Sequence, residues 1–376
     1  MKVLHVVTSI FAEAQGPAYT VPNLCESLAK QGTNIELHTL NPLPEKLPIG
    51  VKTVGYTAWQ FPKKLGVSNK MYRELLNSNA QIIHNHLLWL MPNYYTGRAA
   101  TRKRKVLVTS PRGTLSQRAL SHSRFKKKVM WLLGQQDAIK YAECIHVTAE
   151  SELQDVRDFG ITQPIVLLPN GIDIPKYIAS AIKRDKRKLV YLGRIHSIKG
   201  IENLIEAWSL ISGRFPDWEL EIYGPGEEKY INQLKLLAEK RKAKQISFLG
   251  PVYGEQKNHT YRDADLYVLP SYSENFAMTV AEALSYGVPV ITTKGTPWQG
   301  VEEQGCGWWI DTGVEPLEAC LNEALGLSRH RLQQMGQQGR NWIEAEFSWE
   351  RIGEQMQLTY QWLLEGGTQP ACVRLA

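Results

Sequence analysis

The feature of this sequence that most restricts its fold is a regular alternation of short apolar runs and longer amphipathic segments. The runs have the length of strands, and the segments between them have the apolar spacing of helices. Such an alternation is typical of βα units, whose strands pair in parallel while the helices cover both faces of the sheet. The sequence therefore predicts an α/β protein built on doubly wound, mostly parallel sheets.

The first series of βα units occupies the N-terminal half. A strand is predicted at VLHVVTSI, and a helix from Pro17 to Lys30 follows it and stops at Gly32. Further strands are predicted at IELHTL, AQIIHNHLLW, KVLVTSP, CIHVTA and PIVLLPNG. Together these segments predict one complete sheet.

A second series follows a turn-rich, charged linker predicted at 173–187. Its strands are predicted at KLVYLGR, ELEIYG, ISFLG, DLYVLPS and PVITTKG, with helices such as IENLIEAWSLI and TVAEALSYG between them. We predict two Rossmann-like domains, 1–172 and 188–352, and a helix at 353–376 that returns to the first domain. The carboxyl ends of their strands are expected to face each other across a ligand-binding cleft.

Composition narrows the class of protein. The chain is 43% hydrophobic and 22% charged, close to the average of soluble globular proteins. No stretch reaches the roughly 18 to 20 apolar residues of a membrane-spanning helix, and the short N-terminal apolar run fits a buried strand better than a signal peptide. We therefore expect a cytoplasmic protein. The five cysteines lack the spacing of a zinc site or a disulfide framework.

The positive charge is concentrated in one window, from Arg98 to Lys128, which contains no acidic residue. Within it, Arg124, Lys126, Lys127 and Lys128 lie beside the apolar run VMWLL, a mixture seen in helices that lie on anionic membranes. A solvated face and part of an acceptor site are the alternatives. Nucleic acid is a poorer candidate partner, because no aromatic-interleaved groove or binding motif accompanies the charge.

The most specific motif is SYSENFAMTVAEALSYGVPVI, which holds Glu274 and Glu282. With a helix beginning near Asn275, the two carboxylates are about 10 to 12 Å apart, too far to act on one bond and suited to two ends of an elongated ligand. Three backbone amides are expected at the helix N-terminus, where they favour a phosphate or sugar oxygen: those of Phe276, Ala277 and Met278. The alternative is a solvated helix start with a surface glutamate.

A second motif, YLGRIHSIKG, ends a strand at Gly193 and continues with Arg194 and Lys199. Gly193 permits close approach of the backbone to a ligand, and the two cations are suited to neutralise a diphosphate as its bond to a sugar breaks. Such stabilisation of a leaving group needs no metal. The alternative for the two cations is ordinary surface charge.

Two further signals lie in the first half. His84 and His86 end a strand on one face of the sheet, where a histidine can donate a hydrogen bond to a donor sugar or phosphate. A core histidine is the alternative for His86 and the simpler interpretation of His84. Gly16, in the loop after the first strand, permits close approach to phosphate or acceptor, or is only a turn glycine. The loop is not GxGxxG, so a nicotinamide cofactor is not predicted.

Taken in order, these segments resemble the retaining GT-B glycosyltransferases of family 4. The resemblance covers nearly the whole chain and is carried by the loop at Gly16, HNH at His84 to His86, SPRGTLSQRAL at Ser110 to Leu120, PNGID at Pro169 to Asp173, GR and KG at Gly193 to Gly200, and Glu274 with Glu282. One departure is that this chain has Gln15 and Gly16 where many members have paired glycines.

The resemblance implies a role for each matching residue. Arg194 and Lys199 look like the clamp on the donor's diphosphate, Glu282 like the ribose-binding carboxylate, Glu274 like the carboxylate on the donor sugar, and His86 like the active-site histidine. It also implies a retaining, metal-independent hexosyltransferase without cofactor, in which the departing phosphate oxygen takes the proton of the attacking acceptor hydroxyl.

The implied substrates are a nucleoside diphosphate sugar and a lipid-linked or saccharide acceptor, used in surface polysaccharide or lipopolysaccharide synthesis. A sugar-nucleotide epimerase of the same shape is the main alternative. A phosphorylase would need a lysine that carries pyridoxal phosphate in a longer chain. A catalytically silent binding module is the third alternative, and the intact charged motifs weigh against it.

Overall fold

The computed structural model describes residues 1–11, 16–61, 65–121, 124–176 and 185–375. It does not describe the side chains of Arg118, Arg124, Lys126 and Leu133. Gln15 of the predicted ligand loop and residues 177–184 of the predicted linker lie outside the described residues. The chain divides into two compact units, the first formed by Met1–Gly171 with Trp349–Ala376 and the second by Ile172–Ser348.

The first unit is built on an eight-stranded sheet. The strands are β1 (Lys2–Val6), β2 (Asn34–Leu40), β3 (Lys52–Tyr56), β4 (Ile82–His86), β5 (Val106–Ser110), β6 (Cys144–Val147), β7 (Ile165–Leu167) and β14 (Val373–Arg374). Their order in the sheet is β14-β7-β6-β5-β4-β1-β2-β3; seven strands are parallel, and β14 pairs antiparallel with β7. The sequence order reverses between β1 and β4, so the carboxyl ends of these two strands form a topological switch point, where ligands of such sheets bind.

Helices cover both faces of this sheet, each over its own apolar core. They are α1 (Pro17–Lys30), α2 (Asn69–Asn77), α3 (Met91–Lys103), α4 (Gln117–Ser121), α5 (Arg124–Met130), α6 (Asp137–Lys140), α7 (Glu150–Asp158) and α15 (Trp349–Glu365), with a π-helical turn at Trp131–Gln135 after α5. The last helix, α15, packs with α1 against one face. The C-terminal helix therefore belongs to the first unit.

The second unit has a six-stranded parallel sheet. Its strands are β8 (Arg187–Leu192), β9 (Trp218–Tyr223), β10 (Ile246–Gly250), β11 (Leu266–Leu269), β12 (Val290–Thr293) and β13 (Gly307–Ile310), in the sheet order β10-β9-β8-β11-β12-β13. Its helices are α8 (Ile201–Ile211), α9 (Glu228–Lys240), α10 (Gly254–Asp263), α11 (Met278–Ser285), α12 (Gly300–Glu303), α13 (Val314–Leu325) and α14 (Arg329–Phe347). The order reverses between β8 and β11, which sets the switch point of this sheet there.

Both units are Rossmann-like, as the sequence predicts. Helix α11 begins at Met278 and not near Asn275, because Ala277 has a left-handed backbone with φ 62° that no helix interior adopts. The chain leaves the second unit at Ser348, whose extended backbone separates α14 from α15, whereas the sequence predicted this boundary at 352. All five cysteines are free, and four are buried. In the described ranges, no helix combines the length and apolarity needed to cross a bilayer.

Candidate active site

The predicted donor-binding residues of the second unit leave the sheet at its switch point. Gly193, Arg194 and Lys199 follow β8, and Glu274 follows the neighbouring strand β11. Because parallel strands end at the same edge of a sheet, the two loops emerge side by side. The structure therefore brings together two motifs that lie about 75 residues apart in the sequence, since Lys199 pairs with Glu274.

The loops after β8 and β11 are locked to each other by close backbone contact. Gly200 has φ +66°, and a Cβ atom there would lie 2.2 Å from the carbonyl oxygen of Pro270. The backbone N–H of Tyr272 donates to the carbonyl of Ile198 at 2.8 Å. Only glycine meets both the dihedral and the contact at position 200. The KG motif thus serves to seat Lys199 against the loop that carries Glu274.

Lys199 forms an ion pair with Glu274. The same carboxylate accepts a hydrogen bond of 2.6 Å from the hydroxyl of Ser271, and the backbone N–H of Glu274 donates to the carbonyl of Gly295 at 2.8 Å. Arg194 is exposed and has no ion-pair partner among the described residues. The edge therefore offers one unpaired guanidinium beside a lysine–glutamate pair, a set that suits an anion with an attached hydroxylated group.

Glu282, on α11, is held by different partners. Its carboxylate accepts 2.6 Å and 2.8 Å hydrogen bonds from Lys257 Nζ and the Tyr261 hydroxyl. Burial, reinforced by the negative charge of Glu282, raises the pKa of Tyr261 well above its usual value, so this hydroxyl stays a donor at neutral pH. Glu274 and Glu282 thus belong to separate hydrogen-bonded groups.

The segment between the two glutamates is fixed by aromatic packing. Asn275 is half-buried, whereas Phe276 and Ala277 are buried. The Phe276 ring packs 5.3 Å from the ring of Trp298, whose indole N–H donates to the Phe276 carbonyl at 2.5 Å. This anchoring holds Ala277 in its left-handed conformation and directs the N-terminus of α11, starting at Met278, to the same edge.

In the first unit, His86 ends β4 at the other switch point, and its surroundings are strained. Leu87 and Trp89 have left-handed backbones, with φ of 72° and 74°. Asn93 secures the turn by donating to the His86 carbonyl and to Asn85 Oδ1, both at 2.9 Å. Because such conformations in non-glycine residues cluster at functional sites, this turn is a functional candidate.

The His86 ring itself is fully buried and belongs to a histidine cluster. His5 lies opposite His84 in the pairing of β1 with β4, and its Nδ1 is 3.0 Å from Nε2 of His86. Nδ1 of His84 is 2.6 Å from the hydroxyl of Tyr360 on α15. Burial, together with the charge of Arg112, lowers the pKa of His5 to about 3 and the pKa of His86 well below its usual range. These histidines are therefore neutral at neutral pH.

This cluster satisfies the distance requirement for a metal site but not its geometry. The ligand atoms of His5, His84 and His86 lie within 4.8 Å of one another. The rings of His84 and His86, however, stack with centroids 4.1 Å apart and planes inclined by 26°. Since nitrogen lone pairs lie in the ring plane, stacked rings direct them side by side and not toward one ion. The cluster fits a hydrogen-bonded network better.

Gly16 is the N-cap of α1 and has φ 58°. No atom of the described residues lies within 4 Å of a Cβ built there, so among these residues only the backbone conformation calls for glycine. Its carbonyl accepts from the N–H groups of Tyr19 and Thr20, both at 3.0 Å. The structure thus gives Gly16 a capping role, and a ligand contact there stays a prediction.

The basic window contains both paired and exposed groups. Arg98 bonds the Tyr94 hydroxyl at 3.0 Å and lies 3.3 Å from Asp137, and Lys127 lies over the Trp89 ring. Trp131 packs 5.3 Å from Phe159, inside the unit. Three apolar side chains are instead exposed, by 79%, 39% and 71%: Phe125, Val129 and Leu132. Their spacing places them on one side of α5 and the turn that follows it.

Several residues of the site were not predicted from the sequence. His5, Tyr360, Lys257, Tyr261 and Ser271 all contact a predicted residue, and of these five only Ser271 lies in one of the motifs, the one that holds Glu274. His5 had a usable signal, because a doubly wound order puts the first strand beside the one that carries His84 and His86. The other four make contacts that only the folded chain reveals.

Two family models match consecutive parts of this chain. The first, "Glycosyltransferase Family 4", matches residues 14–176, and the second, "Glycosyl transferases group 1", matches residues 175–342. The chain belongs to glycosyltransferase family 4. Nothing in these matches supports the epimerase alternative.

Individual relatives and solved structures extend this similarity. D-inositol 3-phosphate glycosyltransferase of Corynebacterium jeikeium is 27% identical over 259 residues, which are 62% of this chain and 60% of that protein. HepE of Anabaena, solved in complex with UDP-glucose, superposes with a TM-score of 0.75 at 15% identity over 96% of this chain and 99% of its own. WaaG, involved in lipopolysaccharide biosynthesis, superposes with a TM-score of 0.72 at 16% identity, over 97% of this chain and 100% of its own. The chain thus shares the GT-B fold of these structures.

Proposed function

We propose that this family member is a retaining, metal-independent hexosyltransferase that uses a nucleoside diphosphate sugar. The main support for this proposal is the ion pair of Lys199 with Glu274, beside the exposed Arg194, at the switch point of the second sheet. A cation and a carboxylate in contact suit the two chemically different ends of one ligand, a diphosphate and a hydroxylated sugar. The UDP-glucose bound to HepE supports a donor of this class.

The proposed donor lies along the carboxyl edge of this sheet. Arg194 and Lys199 bind the diphosphate, helped by the N-terminus of α11. Glu274 accepts hydrogen bonds from hydroxyls of the donor sugar, and Glu282 accepts them from the ribose. The separate hydrogen-bonded groups of the two glutamates support separate subsites for sugar and ribose.

In the proposed step, the acceptor hydroxyl attacks the anomeric carbon from the face that the diphosphate leaves. A new carbon–oxygen bond forms while the bond to phosphate breaks, and the acceptor's proton passes to the departing phosphate oxygen. The negative charge that grows on the diphosphate is stabilised by Arg194 and Lys199, which is electrostatic stabilisation of a leaving group. His86, at the carboxyl end of β4, binds a substrate hydroxyl. No protein nucleophile takes part.

We assign the acceptor to the lipid-linked or saccharide class, in surface polysaccharide or lipopolysaccharide synthesis at the cytoplasmic face of the membrane. The link of WaaG to lipopolysaccharide biosynthesis supports this class. Exposed Phe125, Val129 and Leu132 beside Lys128 support contact with an anionic bilayer. Apolar side chains enter such an interface while basic residues attract its charge, by about 1 kcal/mol for each residue near the surface.

The test is donor binding by two lysine variants. Lys199→Gln removes the proposed diphosphate contact, and Lys188→Gln removes a matched ion pair, that of Lys188 with Glu221, also in the second unit. We expect UDP-, GDP- or ADP-sugar to raise the thermal stability of the wild type and of Lys188→Gln, by about 2.7 kcal/mol at a hundredfold excess over Kd. Lys199→Gln should require about ten- to hundredfold more ligand. Equal binding by both variants contradicts the assigned site.

A further inference from the structure

A continuous hydrogen-bonded chain links His86 to the C-terminal helix. The Tyr360 hydroxyl lies 2.6 Å from Nδ1 of His84 and 3.2 Å from Nε2 of His5. His5 in turn contacts Nε2 of His86 through its Nδ1, at 3.0 Å. All four side chains are fully buried. Tyr360 is in α15, 355 residues from His5, so this contact exists because the last helix returns to the first sheet.

The protons in this chain are interdependent. A neutral imidazole has one donor and one acceptor nitrogen, and a tyrosine hydroxyl has one proton to donate. If Tyr360 donates to His84, its oxygen accepts from Nε2–H of His5. His5 then accepts at Nδ1 from Nε2–H of His86, and Nδ1 of His86 keeps its lone pair. If Tyr360 instead donates to His5, every proton shifts, and Nδ1 of His86 becomes a donor.

The distances favour the first arrangement. An O–H donor makes shorter hydrogen bonds than an N–H donor, with typical lengths of about 2.7 to 2.8 Å against about 2.9 to 3.0 Å. The 2.6 Å contact with His84 therefore suits the hydroxyl as donor, and the 3.2 Å contact with His5 suits an N–H donor. His86 is then protonated on Nε2.

The hydrogen-bonded chain has two ends, Nδ1 of His86 and Nε2 of His84. Both atoms are buried and have no hydrogen-bond partner in the part of the chain that the structure describes. In the first arrangement Nε2 of His84 carries a proton, and Nδ1 of His86 is the end that can accept one. A buried polar atom without a partner is rare in native proteins and is often explained by a ligand or a catalytic role. The chain thus delivers an acceptor nitrogen at the end of β4, beside the strained turn at Leu87.

We infer that Tyr360 is a positioning residue, which through His5 fixes His86 in the tautomer whose Nδ1 accepts a hydrogen bond from a substrate hydroxyl. This inference rests on the proposed function, because His86 acts there on a substrate hydroxyl. It adds a residue from the last helix to the active site, and it makes His86 an acceptor, not the donor expected from sequence.

The first test reads the tautomer directly. In ¹⁵N NMR spectra of the histidine-labelled wild-type protein, the two nitrogens of a neutral imidazole give distinct shifts, and the protonated one is identified by its attached hydrogen. We expect His86 to be protonated on Nε2. A proton on Nδ1 overturns the inference, and this result needs no variant.

The second test is kinetic. Tyr360→Phe should lower kcat about tenfold, the effect of one lost hydrogen bond, while the donor KM stays unchanged and His86 becomes a mixture of tautomers. Tyr56→Phe is the matched control, because the buried Tyr56 hydroxyl bonds Nδ1 of His38 at 3.1 Å in the same unit but outside the chain. The control should keep both kcat and the His86 tautomer.

The outcomes separate the inference from the proposed function. If His86→Ala loses turnover while Tyr360→Phe keeps both kcat and the tautomer, the role of Tyr360 is wrong and the role of His86 stands. If His86→Ala itself keeps wild-type turnover, the proposed role of His86 fails, and the inference fails with it. If Tyr360→Phe does not fold, the wild-type tautomer decides.

Discussion

Tyr261 donates a 2.8 Å hydrogen bond to Glu282, 21 residues later in the chain, and Lys257 completes the set at 2.6 Å. The same chemistry recurs in this unit at Glu221, which accepts from Lys188 at 2.7 Å and from Tyr223 at 2.8 Å. Glu221 lies within strand β9, whereas Glu282 lies on the helix that follows the β11 loop. Variants of the two glutamates therefore distinguish the effect of losing a carboxylate near the donor loops from the effect of losing lysine and tyrosine hydrogen bonds.

The first prediction uses this pair. Glu282→Gln should raise the donor KM about ten- to hundredfold, because a carboxylate that accepts from the ribose is replaced by a neutral amide. Glu221→Gln removes the same kind of lysine and tyrosine contact and should leave KM unchanged. Steady-state kinetics with varied donor measure both. Equal changes of the donor KM in the two variants would show that Glu282 does not bind the donor.

The second prediction concerns the lock between the two donor loops. Gly200→Ala should destabilise the protein by about 1 to 3 kcal/mol, because Cβ meets the Pro270 carbonyl and the left-handed backbone is strained. Gly213→Ala is the control, since no atom of the described residues lies within 4 Å of a Cβ built there and its φ is not positive. Urea unfolding measures the difference. A Gly200→Ala variant as stable as the control would show that the contact is not rigid.

The third prediction is acid sensitivity of the first unit. Burial lowers the pKa of His146 to about 3 and that of His38 to about 4, and it lowers those of the other buried histidines, His5, His84 and His86. The unfolded chain therefore binds more protons than the folded one at pH values between these and the ordinary histidine pKa. The contribution of these histidines to the free energy of unfolding is fully present above about pH 6.5. It is lost as pH falls, by about 1 kcal/mol for each histidine and each pH unit.

The second unit provides the internal comparison for this effect. Its three histidines, His196, His259 and His330, are exposed. Hydrogen exchange read by mass spectrometry should show β1, β4 and β6 opening at a higher pH than β8 and β11. Simultaneous opening of both sheets, with the same dependence on pH, would contradict a role for the buried histidines.

The fourth prediction concerns the exposed apolar side chains of the basic window. Phe125→Ser combined with Leu132→Ser should weaken sedimentation with vesicles that contain anionic lipid, because about 25 cal/mol is lost for each Å² of apolar surface no longer buried. Changing Lys126, Lys127 and Lys128 together to Gln should weaken it as well and reduce its dependence on salt. Leu236→Ser is the control, since Leu236 is 63% exposed in the second unit. If neither the serine nor the glutamine substitutions change sedimentation with the vesicles, the proposed membrane contact is wrong.

Local signals account for the parts of the fold that the sequence predicted. The helix from Pro17 to Lys30 was predicted at its observed bounds, because a proline start and a glycine stop mark both ends. Strands β3, β13 and β14 were missed. β3 and β13 are edge strands without a full apolar run, and β14 is only two residues long. Such strands form because a neighbouring strand supplies hydrogen bonds, which the sequence does not display.

The same distinction applies to the candidate site. Arg194, Lys199 and the two glutamates stand at loop positions after strands, and loops at the carboxyl ends of parallel strands are where function concentrates. The pairing of Lys199 with Glu274 follows from strand order, and the contact of Tyr360 with His84 joins residues 276 positions apart. Contacts of this kind depend on tertiary packing, so no local pattern reports them.

The most direct measurement of the central claim is a crystal structure of the protein soaked with its best-binding nucleoside diphosphate. We expect the diphosphate at the carboxyl edge of the second sheet, within hydrogen-bonding distance of Arg194 and Lys199 and facing the N-terminus of α11. A diphosphate bound elsewhere, with neither side chain in contact with it, would show that this edge is not the donor site.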